Sequence, residues 1–100
     1  MPAYVIAEIE VQDHERYEEY RKRVPATITA HGGKYLARGG EVDHLEGDRP
    51  PQRTIILEFE NMERARQWWA SDEYGALKQL RRNTSIGNIM LVEGLTPTDG

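Results

Sequence analysis

Gly32-Gly33-Lys34-Tyr35-Leu36-Ala37-Arg38-Gly39-Gly40 sets the frame from which the rest of the chain can be read. The first glycine pair can take the positive φ that closes a helix, and the second lets the backbone bend or admits a close neighbour. Between the pairs, Lys34 to Arg38 reads as a short strand. The segment therefore carries a helix end, a strand and an arginine at the strand's far end.

Upstream, Asp13 is a good N-cap for a helix in which Tyr17, Tyr20, Val24 and Ile28 recur at spacings of three and four. Pro25 interrupts that stripe, and its missing N–H and ring clash predict a kink or a split into two helices. Before it, residues 3–11 alternate, with Val5, Ala7, Ile9 and Val11 on one face and Tyr4, Ile6, Glu8 and Glu10 on the other. This is the first strand.

Downstream, a polar stretch with Gly47, Pro50 and Pro51 leads to a strand from Arg53 to Glu60, and it has room for a short extra strand around Val42 to Glu46. Asn61 caps a helix through Ala65, Trp68 and Trp69, and Ser71 or Asp72 restarts it for Tyr74, Leu77 and Leu80. A last strand is expected near Asn88 to Glu93, so that residues 1–95 form one domain and 96–100 a flexible tail. The order β-α-β-β-α-β with right-handed crossovers gives a ferredoxin-like α+β fold, a four-stranded antiparallel sheet with its helices on one face.

Composition narrows the function classes. The chain has 100 residues and no cysteine, which removes disulfides, thiolate metal sites and a cysteine nucleophile. Its 13 basic and 17 acidic residues give a net charge of −4 and intermingle along the helices, so nucleic acid is not an expected partner. Neither a signal-peptide pattern nor an apolar run of roughly 20 residues is present, which points to a cytoplasmic protein without a membrane partner.

The sheet's second face holds the functional question. Alternation assigns it Tyr4, Ile6, Glu8, Leu36, Arg38, Ile56, Glu58, Met90 and Val92, too apolar for open water and too charged for an ordinary core. A second copy of the sheet would cover it, forming a homodimer in which Arg38, Glu8 and Glu58 must be matched to one another or to a ligand.

Several motifs together resemble a known group: Asp13-x-x-x-Tyr17-x-x-Tyr20, Gly32-Gly33-x-Tyr35-Leu36-x-Arg38-Gly39-Gly40, Glu46-Gly47, Glu58-Phe59, Ser71-x-x-Tyr74 and Val92-Glu93-Gly94. The chain is similar over residues 3–95 to the domain-of-unknown-function 1330 family, within the dimeric α+β barrel superfamily. The resemblance implies a small bacterial homodimer with no established reaction. Superfamily relatives, among them antibiotic-biosynthesis monooxygenases and muconolactone isomerases, imply a ligand between sheet and helices. The match to the haem-degrading members is poor.

Candidate residues follow. Arg38 is the expected anion partner beside the open backbone of Gly39 and Gly40, with Tyr20 and Tyr74 offering hydroxyls and Trp69 a pocket wall. His44, in the polar loop near Asp43 and Glu46, and Glu58 are the candidate bases for cofactor-free proton transfer or oxygen chemistry. His14 and His31 fit no metal spacing, Ser71 reads as a cap, and no phosphate loop occurs, so no cofactor or metal is expected. The expected role is binding of a small polar or anionic organic molecule. The alternative is a non-catalytic dimer in which Arg38 and Glu58 serve the interface, and haem or metal binding ranks third.

Overall fold

The computed structural model describes residues 1–95, and the tail assigned to 96–100 lies outside the described residues. Seven elements follow one another: β1 (Ala3–Val11), α1 (His14–Ala30), β2 (Lys34–Arg38), β3 (Arg53–Phe59), α2 (Met62–Ala70), α3 (Asp72–Thr84) and β4 (Ser85–Glu93). The strands form one antiparallel sheet in the order β2-β3-β1-β4. This is the ferredoxin-like arrangement.

The caps act where expected. The Asp13 carboxylate accepts from the Arg16 N–H, the Asn61 side chain from the Arg64 N–H, and the Ser71 hydroxyl from the Tyr74 N–H. Ser71 thus divides the second helical segment into α2 and α3. At the end of α1, Gly32 sits at φ 76°, its N–H bonds the Thr29 carbonyl, and the Gly33 N–H reaches the Ile28 carbonyl at 2.9 Å. This paired closure turns the chain into β2.

Three expectations need correction. Of the two outcomes expected at Pro25, the split does not occur: α1 runs as one helix through it, because a helix can continue past a proline when neighbouring contacts hold it. Thr27, two residues on, links Val24 to the Trp68 indole. Val42 to Glu46 forms no strand; those residues are exposed loop. The last strand starts at Ser85, earlier than the apolar run beginning near Asn88, because β1 continues to Val11 and pairs it with Ser85.

The core is the helix-covered face of the sheet. Ala3, Val5, Ala7 and Ile9 of β1 and Leu57 and Phe59 of β3 are buried against the helical stripe of Tyr17, Tyr20, Val24, Ile28, Trp68, Tyr74 and Leu77. The opposite face bears Leu36, Ile86, Met90 and Val92, all substantially exposed. Its charges pair locally: Glu58 meets Lys34 at 3.1 Å, and Glu8 meets Arg49 at 3.0 Å.

Candidate functional site

Strict alternation would put Arg38 on that opposite face. The register instead slips at Leu36: Lys34 and Tyr35 lie opposite Glu58 and Leu57, whereas Ala37 and Arg38 lie opposite Ile56 and Ile55. One extra residue in β2 reverses every side chain beyond it. Arg38 consequently turns to the helix side, and the expectation that it shares the sheet's second face with Glu8 and Glu58 is overturned. Its Nη2 donates to the Arg21 carbonyl of α1 at 2.6 Å, and its guanidinium stands 4.7 Å from the centre of the Tyr35 ring.

Two further arginines converge on the same space. Arg53 opens β3 on the helix face, in phase with Ile55, Leu57 and Phe59, and its guanidinium crosses over Gly39. Gly39 holds φ at 68°, which calls for glycine here, and a Cβ would stand 2.6 Å from the Arg53 Cζ, so the guanidinium would have to shift to admit one. The Arg53 Nε is buried without a hydrogen-bond partner. Arg81 lies on the buried stripe of α3 at 5% exposure, its Nε donating over 3.4 Å to the Tyr74 hydroxyl.

These groups line a cavity of about 40 Å³ between α1, α3 and the sheet, walled by Val5, Ala7, Ile9, Val24 and Leu57 and by the Trp68 ring. That is room for a few waters or a small anion. Among the described residues no aspartate or glutamate lines it, and none of Arg38, Arg53 and Arg81 has an ion-pair partner. Of the three only Arg81 is fully buried, and a buried cation left in that state costs several kcal/mol.

Arg21, which is paired with Glu18 at 3.1 Å, and four tyrosines complete the polar lining, the latter being Tyr17, Tyr20, Tyr35 and Tyr74. The Tyr20 and Tyr74 hydroxyls are hydrogen-bonded at 3.0 Å. Burial, reinforced by the neighbouring Tyr74, holds the Tyr20 hydroxyl far above its ordinary range. Burial also raises Tyr17 and Tyr35, against the opposing pull of Arg53 on the first and Arg38 on the second. The cavity is thus rich in cations and protonated hydroxyls, an environment that donates hydrogen bonds to a negative group.

Of the residues singled out in the sequence, Arg38, Tyr20 and Tyr74 meet at this cavity, and Gly39 lies beneath Arg53 at its edge. Trp69 stands behind Tyr74, 5.7 Å between ring centres, with Lys78 4.2 Å from its own ring centre. Gly40 faces open space. His44 lies in the exposed loop, its Nε2 3.0 Å from the Glu46 carbonyl, and Glu58 stays with Lys34 across the sheet; neither lines the cavity.

The model of a domain of unknown function, DUF1330, matches residues 2–95. The chain belongs to this family. Solved structures similar to this DUF1330 chain share its fold. RPA0582, a protein of unknown function from Rhodopseudomonas palustris, superposes with a TM-score of 0.76 at 15% identity, covering 96% of this chain and 84% of that one. SnoaB, a cofactor-independent oxygenase from Streptomyces nogalater, gives 0.64 at 12% identity, covering 95% and 94%. A dimeric protein of unknown function and ferredoxin-like fold from Bacteroides fragilis gives 0.53 at 14% identity, covering 93% and 96%. A search of the curated proteins finds no match to the sequence.

Sequence reasoning missed Arg53 and Arg81, although the signal was present. Arg53 continues the inward alternation of β3, and Arg81 stands four residues after Leu77 on the stripe that also carries Tyr74 and Thr84. A charged residue in phase with an apolar stripe is the pattern to seek.

Proposed function

We propose that this DUF1330 protein binds a small organic anion in the cavity between sheet and helices, with Arg38, Arg53 and Arg81 neutralising its charged group. The carrying observation is the convergence of three guanidinium groups with no carboxylate among the described cavity residues. The apolar walls suit a hydrocarbon or aromatic body, and Tyr20 and Tyr74 supply hydroxyls to a second polar atom. Arg38 stands at the exposed margin of the cavity, and ligands bulkier than the free space extend past it through the open mouth.

The same chain forms a homodimer in this proposal, the partner covering Leu36, Ile86, Met90 and Val92. The local pairs Lys34–Glu58 and Arg49–Glu8 then flank an apolar interface and carry no ligand. Fold likeness to a cofactor-independent oxygenase supports cofactor-free chemistry on the bound molecule. The Tyr20 hydroxyl, kept protonated by burial, stands with Tyr74 and Arg81 to donate hydrogen bonds to negative charge on the bound molecule, a role taken here in place of His44 and Glu58.

Benzoate titration followed by tryptophan fluorescence tests the reading, since Trp68 lines the cavity. Saturable quenching that is lost in Arg81→Met is expected. Equal responses from the two proteins would remove the proposed site.

A further inference from the structure

Pro25 lies inside α1, where proline is ordinarily unfavourable, and the helix continues through it. A helical N–H bonds the carbonyl four residues earlier, so residue 25 would normally satisfy the carbonyl of Arg21. Proline has no N–H, and that carbonyl loses its helical donor. The same carbonyl receives Arg38 Nη2 at 2.6 Å, from a strand on the far side of the cavity mouth.

We infer that Pro25 is a positioning residue for the anion site: by withholding an N–H, it leaves the Arg21 carbonyl free to hold Arg38 across the mouth of the cavity. This rests on the anion-binding reading above. A carbonyl without an axial donor can tilt away from the helix axis toward an outside donor. The bond uses one of the five guanidinium N–H groups, and among the described residues Arg38 makes no other hydrogen bond or ion pair. The Tyr35 ring, 4.7 Å away, fixes the guanidinium from a second side. Arg38 is therefore anchored yet retains most of its donors for an incoming anion, and the β2 bulge and the α1 proline serve one purpose. The bulge aims the side chain and the proline receives it.

Pro25→Ala separates this role from simple tolerance of a proline. Restoring the N–H should raise the thermal midpoint, because alanine suits a helix interior. It should also weaken benzoate about three- to tenfold, since a charged hydrogen-bond donor loses its preset geometry. In an Arg38→Ala background the same substitution should leave benzoate affinity unchanged. A second measurement needs no ligand: ¹⁵N NMR of arginine side chains in the free protein should show slow Arg38 guanidinium rotation in the wild type and faster rotation in Pro25→Ala. Identical Arg38 signals in the two proteins would overturn the inference. An Arg38 signal that does change, in a protein that binds no benzoate, supports the anchor and overturns the anion-binding reading instead.

Discussion

Replacing Arg81 by methionine should make the free protein more stable while abolishing its response to anions. Arg81 is 5% exposed, and what it gives up is small. Its hydrogen bond to Tyr74 is 3.4 Å long, and its guanidinium lies 6.0 Å from the Trp69 ring centre, the outer limit for a cation–π contact. Each contributes about 0.5 kcal/mol, so roughly 1 kcal/mol is lost. Against this, methionine removes the cost of an unneutralised buried cation, about 2–4 kcal/mol, and keeps most of the apolar stem. The net gain is about 1–3 kcal/mol, or about 4–8 °C in thermal midpoint per kcal/mol for a domain of this size. In the wild type, benzoate at 100 times its dissociation constant should add about 2.7 kcal/mol, and in the variant almost nothing. Urea denaturation at fixed protomer concentration, with and without benzoate, reads both quantities. A variant at least 1 kcal/mol less stable than wild type, yet stabilised equally by benzoate, would refute the reasoning.

Other perturbations have equally definite outcomes. Gly33→Ala should cost about 1–3 kcal/mol by denaturation, because its Cβ would lie 2.6 Å from Phe59 and 2.8 Å from Ile28, whereas Gly40→Ala, with open space around it, should be near neutral. The folded-state value of Tyr20 is raised above the ordinary 10.0. Its contribution to stability is therefore fully present below about pH 10 and is lost as pH rises beyond that, at about 1.4 kcal/mol per pH unit, since only the unfolded chain releases the proton. Denaturation between pH 9 and 11 should show stability falling ever more steeply toward that limiting slope, with Tyr17 and Tyr35, raised in the same direction, adding to it, and Tyr20→Phe should reduce the fall. Sedimentation should give a dimer for the wild type and for Arg38→Ala, but a monomer for Leu36→Asp combined with Met90→Asp, both on the exposed sheet face.

The fold was legible because period-2 and period-3.6 patterns rarely coexist by chance. β1 and β3 alternate cleanly, and the paired glycines end α1 in the expected way. Arg38 was singled out by its place beside the second glycine pair but assigned to the other face of the sheet by alternation, because the inserted residue at Leu36 leaves no mark in a five-residue strand. Pro25 was read correctly as removing a helical hydrogen bond. The strand arginine that takes up the freed acceptor could be found only in three dimensions, since the two residues are brought together by the fold. Arg53 and Arg81 were passed over because only the apolar members of their stripes were followed, while their own phase also placed them inward.

Anomalous diffraction from crystals soaked in bromide would test the central claim most directly, since bromide needs no match of shape beyond the available 40 Å³. A bromide peak between sheet and helices, in contact with the Arg53 and Arg81 guanidinium groups and absent in Arg81→Met, is the predicted result. Bromide confined to the outer surface, with the cavity empty or filled only by neutral solvent, would contradict it.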